Sequence, residues 1–399
     1  MASPRRKAGA LAAQVDGYRD WLAERGYAPL TVRNMLKDLG QVGQWLDRER
    51  LEVADLSEDR LQEFLLDRRQ AGRRRLAGAR GWLPLLTFLR GVGVVPAARL
   101  AATPLDPLLG RYRSWMHRDR GLSASTMLRY ENTARRFLTE RAMTGGRFTP
   151  EQLTGADLNA FLLQECGRVS SGSAKGRVAE LRSLMRFLHL SGVIAMKLGT
   201  AVPPVGGWRL ASVPSTMAPG DVQLLLDRCP RGSAVGVRDY AILMLVARLG
   251  LRSIEVARLR LDDVDWRCGE IVVRGKGRRE DRLPLPVEVG GAVVAYLCDA
   301  RPQLGDRHLF LTGRAPLTPI RADLVGDVVE RACVRAGLTR VGPHRLRHAL
   351  AAQMLRQGAG LTAIGQVLRH QDLATTALYA KVDFAALRQV AQPWPGAAA

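Results

Sequence analysis

Between positions 344 and 379 the chain carries His344-Arg345-Leu346-Arg347-His348, then Leu368-Arg369-His370, and then Tyr379 nine residues after His370. Upstream stand Arg252, in Leu249-Gly250-Leu251-Arg252-Ser253-Ile254-Glu255, and Lys276, in Arg274-Gly275-Lys276-Gly277. A phenol has a pKa near 10, so a tyrosine attacks only when its proton is removed and the resulting charge is stabilised. The surrounding groups are cations and proton donors, a set suited to attack on a phosphodiester without a metal. In-line attack builds negative charge on the non-bridging oxygens. Arg252 and Arg347 are the expected phosphate clamps, since a fixed donor there typically contributes about 3–4 kcal/mol. His344 is placed as proton acceptor or phosphate donor and His370 as a second phosphate donor. The leaving oxygen needs a proton, which Lys276 can give from a Gly-Lys-Gly hairpin that carries its ammonium into a groove. Glu255, three residues after Arg252 on one helical face, fits a brace better than a catalyst. A phosphotyrosyl link conserves the energy of the broken diester, so the strand can be rejoined without ATP.

Two other readings of these residues fail on chemistry. His344 and His348 form His-x-x-x-His, but a zincin places Glu after the first histidine and this chain has Arg345, a poor neighbour for a dication. The glycines around Lys276 lack phosphate-loop spacing, and no Ser or Thr follows the lysine. No metal or other cofactor is expected.

The whole chain is basic. Net charge is +22, divided as +6 over residues 1–103, +8 over 104–214 and +8 over 215–399. A binding tail would concentrate the charge; an even spread fits a protein that surrounds a polyanion. Of its 60 basic residues only six are lysine, and the arginine fork makes the better phosphate ligand. At 399 residues there is room for two or three cored domains. No apolar run is long enough to span a membrane, and the N-terminus lacks the pattern of a secretory signal. Five scattered cysteines fit reduced thiols rather than a disulfide frame. A cytoplasmic, nucleoid-associated protein is expected.

Positioning these residues requires a mixed α/β segment, and two helical segments precede it. From Ala218 the periodicity predicts helices at Asp221–Cys229, Arg238–Leu249, Val287–Ala300, Arg321–Ala336, His344–Gln357 and Leu361–Leu368. Alternation over Glu270–Val273 and Arg282–Leu285 predicts a β-hairpin. The two earlier segments look like copies. Tyr18-Arg19-Asp20-Trp21-Leu22 matches Tyr112-Arg113-Ser114-Trp115-Met116, Gly26 and Thr31 match Gly121 and Thr126, and Leu61 and Phe64 match Leu158 and Phe161. The match closes with Phe88 to Val94 against Phe187 to Val193. Two unrelated four-helix units would share amphipathic patterning without these identities. Pro/Gly-rich linkers are expected from Pro96 to Pro107 and from Pro203 to Pro214.

In motif order and spacing, residues from Met217 onward resemble the tyrosine recombinase (phage integrase) family. The stretch Ser123-Ala124-Ser125-Thr126-Met127-Leu128-Arg129-Tyr130 resembles that family's core-binding, SAM-like domain. Two departures stand out: Leu-Gly-His is usual before the tyrosine where this chain has Leu368-Arg369-His370, and a single core-binding domain is usual. The resemblance implies a mostly α chain with a small β-hairpin or sheet near its C-terminus. Residues 1–103 would be a helical DNA-binding domain, 104–214 a core-binding domain with linker, and 215–399 an α+β catalytic domain. It also implies site-specific recombination of double-stranded DNA through a 3′-phosphotyrosyl intermediate and a Holliday junction, with integration or transposition among the outcomes. The assembly would be a homotetramer, or one formed with related recombinases. Two alternatives share the fold or the chemistry: a catalytically idle DNA-binding protein and a type IB topoisomerase. The first helical segment is read as extending the DNA contact, or else as a protein-interaction domain. After Tyr379, the apolar stripe Phe384, Leu387 and Val390 is read as a tether to a neighbouring protomer, or a segment folded back on its own domain.

Overall fold

The computed structural model describes residues 8–70, 72, 79–97, 103–144, 147–169, 171–206, 216–275, 279–370 and 376. Chain contacts divide it into two units, one of residues 1–97 with 212–399 and one of residues 98–211. Buried apolar side chains gather in three large cores and a small fourth.

The first core is enclosed by α1 (Val15–Glu24), α2 (Pro29–Arg48), α3 (Glu58–Gln70) and α4 (Ala79–Gly91). The second is enclosed by α5 (Asp106–Arg118), α6 (Ala124–Arg141), α7 (Gly155–Cys166) and α8 (Ser171–Leu190), with a two-residue hairpin of β1 (Met143–Thr144) and β2 (Arg147–Phe148) between α6 and α7. Both bundles contain the same aromatic cluster. Tyr18 stacks on Trp21 with ring centroids 6.0 Å apart and tilts against Phe88 at 5.2 Å. Tyr112 does the same with Trp115 at 6.0 Å and Phe187 at 5.1 Å. Arg25 lies over the Trp21 ring, and Arg120 over Trp115. The turns that follow pass through Gly26 and Gly121, both at positive φ (73° and 56°), a backbone that strains any residue with a Cβ. The linker after Pro96 is shorter than expected. Helix α5 opens at Asp106 with Pro107 in its first turn, where proline's missing N–H removes no helical hydrogen bond.

The third core belongs to α9 (Pro219–Asp227), α10 (Ala234–Leu249), α11 (Ser253–Arg258), α12 (Val287–Asp299), α13 (Ala322–Ala336) and α14 (Pro343–Arg356), with α15 (Leu361–Val367) packed on α14 through the small fourth core. Helix α10 is apolar nearly all round. Ala241 to Val246 are at most 2% exposed, so it runs through the middle and is covered by α12, α13 and α14. Ser233 caps its start, the hydroxyl accepting the Gly236 N–H at 3.2 Å. Strands β4 (Glu270–Arg274) and β5 (Glu280–Pro284) form the expected hairpin, in register Ile271 opposite Leu283, with Ile271 and Val273 buried at alternate positions. A third strand, β3 (Val264–Asp265), was not anticipated; it pairs with β4 to give the order β3-β4-β5, and two residues are too few to show alternation.

Candidate active site

Three separated segments meet at the end of α10. The helix terminates at Gly250, which adopts the left-handed conformation (φ 60°) and turns the chain so that Arg252 precedes α11. A Cβ on Gly250 would lie 2.8 Å from Leu368 Cδ2 and 3.1 Å from Leu350 Cδ2, so only glycine lets α14 and the turn after α15 approach this closely. The approach is fixed by arginines. Arg347, buried on the first turns of α14, donates to the Gly250 and Leu368 carbonyls. Arg252 donates to the Arg369 carbonyl at 3.3 Å, and its side chain stays one-third exposed. Arg369, also buried, donates to Glu255 Oε2 at 2.7 Å, to the Val367 carbonyl at 2.9 Å and to the Gly250 carbonyl at 3.4 Å.

Glu255 is the anionic centre of this arrangement. It is 3% exposed and accepts from the Arg252 N–H at 2.8 Å, from Arg252 Nη1 at 2.7 Å and from Arg369. Burial opposes its charge, but the Arg369 guanidinium and the Arg252 hydrogen bonds prevail and hold its carboxyl below the usual range. The expected brace for Arg252 is present.

The histidines lie in the field of the same arginines. Desolvation, then Arg347 and Arg252, lowers the His344 imidazole below its ordinary range, although that residue keeps solvent access at the start of α14. His370 is pushed down to about 4, first by desolvation and then by Arg347 and Arg252, so its ring is neutral at physiological pH. His348 shifts the same way through burial and His344. His370 Nδ1 lies 2.8 Å from the Thr376 hydroxyl. A hydroxyl donating there leaves the ring proton on Nε2, as a phosphate donor requires.

Of the six residues singled out in the sequence, Arg252, His344, Arg347 and His370 are brought to this one locus. Lys276 and Tyr379 lie outside the described residues, as does the Phe384–Val390 stripe; Gly275 N–H to Arg279 O (2.8 Å) closes the hairpin around residues 276–278. Two participants had no sequence signal. Thr376 looks like one of a Thr-Thr pair, and Arg369 appeared only as a missing glycine.

A second concentration of cations lies on the core enclosed by α5–α8. Glu131, Glu165 and Glu180 are buried there, and each holds surface arginines: Arg113 and Arg135 on Glu131, Arg136 on Glu165, Arg129 and Arg177 on Glu180. Carboxylates beneath guanidiniums fix their direction. The first bundle does not repeat this face: counting from the starts of α2 and α6, Arg129, Glu131, Arg135 and Arg136 correspond to Asn34, Leu36, Gly40 and Gln41.

Guanidiniums and imidazoles thus converge at the helix ends of this locus. Residues 215–386 match the phage integrase family. The chain is 37% identical to a protein named integrase/recombinase y4rA of Sinorhizobium fredii, over 98% of this chain and 96% of that one, so both helical bundles have counterparts there. It is 30% identical to the tyrosine recombinase XerD of Mycobacterium tuberculosis, over 70% of this chain and 93% of that one. In fold it is similar to a lambda integrase dimer bound to a COC′ core site (TM-score 0.53, 17% identity, 72% of this chain and 97% of that one). It is equally similar to XerH bound to a palindromic difH substrate (TM-score 0.53, 17% identity, 74% and 97%). This chain belongs to the tyrosine recombinase (phage integrase) family.

Proposed function

We propose that this protein is a site-specific DNA recombinase that cuts and rejoins strands through a 3′-phosphotyrosyl intermediate on Tyr379. The observation that carries the reading is the convergence of Arg252, His344, Arg347 and His370, from three segments up to 118 positions apart, around the carbonyls of Gly250, Leu368 and Arg369. The Tyr379 oxygen bonds to phosphorus as its proton passes to His344. The bond from phosphorus to the 5′-oxygen breaks, and Lys276 protonates that oxygen to release a 5′-hydroxyl. Arg252, Arg347 and His370 Nε2 stabilise the charge on the non-bridging oxygens. A partner strand's 5′-hydroxyl then attacks the phosphotyrosine, releases Tyr379 and passes through a Holliday junction. The relatives are integrases and recombinases, which favours strand exchange over a topoisomerase or an idle binder.

Double-stranded DNA is the partner, gripped by the arginine face on α5–α8 and held in a tetramer whose protomers are linked by the segment after Tyr379. The first bundle extends the contact along the duplex through Arg68, Arg69 and Arg73–Arg75. Among the described residues no helix is long and apolar enough to cross a membrane.

The test uses nicked suicide duplexes tiling the DNA that flanks the reading frame. One of them should give a protein–DNA adduct that survives denaturant, and Tyr379→Phe should abolish it. An adduct formed by the phenylalanine variant would refute the assignment of Tyr379.

A further inference from the structure

Residue 369 occupies a left-handed backbone (φ 54°), one of two non-glycine residues at positive φ among those described. Such a conformation strains a residue with a Cβ, and glycine adopts it freely. The side chain is also 5% exposed, although arginine is among the residues least often buried. A backbone strain and a buried charge at one position demand an explanation, and the contacts supply it. The guanidinium reaches Glu255, 114 positions upstream, and the Val367 and Gly250 carbonyls. The turn itself aims the Leu368 carbonyl at Arg347 and the Arg369 carbonyl at Arg252. The adjoining residue is His370.

We infer that Arg369 is a positioning residue for strand cleavage, fixing Glu255 and through it the Arg252 guanidinium. This inference rests on the recombinase reading of the site. Arg252 reaches Glu255 with both its backbone N–H and Nη1, so a carboxylate free to rotate would release the phosphate clamp and the start of α11 together. Arg369 donates to Oε2 of that carboxylate, the oxygen that also accepts the Arg252 backbone N–H.

Arg369→Gly is the informative variant, because glycine tolerates the turn while the change removes the guanidinium with its bonds to Glu255, Val367 and Gly250. Two measurements are made on the full chain. The first needs no DNA: hydrogen exchange at the Arg252 amide, whose acceptor is Glu255 Oε2. Exchange should quicken about tenfold or more, the loss of one charge-assisted hydrogen bond. Unchanged protection would overturn the inference. The second is single-turnover cleavage of the suicide duplex that gives an adduct with the unaltered protein. The rate should fall about tenfold to a hundredfold, as a clamp displaced by ~1 Å would cause, with duplex affinity held within about twofold. Arg369→Lys, which keeps one donor for Glu255, should recover part of the rate. In a Glu255→Gln background the further cost of Arg369→Gly should nearly vanish. Additive costs, or parallel losses of binding and cleavage, would overturn the positioning role. An unaltered protein that gives no adduct would instead count against the recombinase reading and leave the amide measurement to decide on Arg369.

Discussion

Gly250→Ala separates two demands that coincide at the end of α10. Gly250 holds φ 60°, and a Cβ there would meet Leu368 Cδ2 at 2.8 Å and Leu350 Cδ2 at 3.1 Å. The left-handed backbone alone costs a non-glycine residue about 1–2 kcal/mol. Pushing two leucines out of a packed contact adds about 1–3 kcal/mol. The sum is about 2–5 kcal/mol. Gly337 provides the control: it caps α13 at φ 72° with nothing within 4 Å of its Cβ position, so Gly337→Ala should cost only the conformational part, about 1–2 kcal/mol. Hydrogen exchange by mass spectrometry on the full chain resolves the local opening free energies of α10 and α13 peptides. The consequence for chemistry follows from the Gly250 carbonyl, which receives Arg347 and Arg369. A shift there should slow single-turnover cleavage about a hundredfold while leaving duplex affinity nearly intact. Equal costs at the two glycines would refute the packing argument. Full cleavage activity in Gly250→Ala would refute the claim that this carbonyl sets the clamp.

Three further outcomes are expected. His370 is pushed down to about 4 in the folded chain from an ordinary value of 6.5, so the unfolded chain binds the extra proton between those limits. Stability should be fully present above pH 6.5 and fall as pH drops toward 4, and denaturant midpoints of His370→Gln should show a shallower fall; identical slopes would contradict the assignment. Arg347→Lys replaces the planar fork whose two nitrogens reach the Gly250 and Leu368 carbonyls with a single-centred ammonium, so single-turnover cleavage should drop about 10²–10³-fold with a much smaller loss in duplex binding. Deleting residues 1–103 should shorten the protected region on DNA and flatten the dependence of binding on salt. An unchanged footprint would assign the first bundle to protein contacts.

Arg252, His344, Arg347 and His370 could be singled out in the sequence because chemistry restricts their types and the chain keeps them in a fixed order, and the structure brings these four together. Six of the helices between residues 219 and 367 were legible within a few positions, since their buried faces repeat at helical spacing, whereas the six-residue α11 is too short to show a repeat. Arg369 was not, and the reason is physical. Its partner Glu255 lies 114 positions away, and its backbone conformation leaves no mark on periodicity, so it read as a lost glycine when the structure makes it a buried brace. Thr376 was hidden for a similar reason, its hydroxyl meeting His370 only through the fold.

The paired bundles show where such reading succeeds and where it stops. Tyr18, Trp21 and Phe88 repeat as Tyr112, Trp115 and Phe187 because a packed aromatic cluster tolerates few substitutions, and the ring separations agree within 0.3 Å. The arginine face lies at the surface, where packing imposes no such restraint. There Glu131 and Arg135 of the second bundle correspond in sequence to Leu36 and Gly40 of the first. Identity of core therefore establishes a shared architecture for the bundles and says nothing of a shared partner. Any duplex contact by the first bundle must do without the carboxylate-braced arginines of α6, and the exposed cations it offers include Arg33 and Lys37 on α2 and Arg69 at the end of α3.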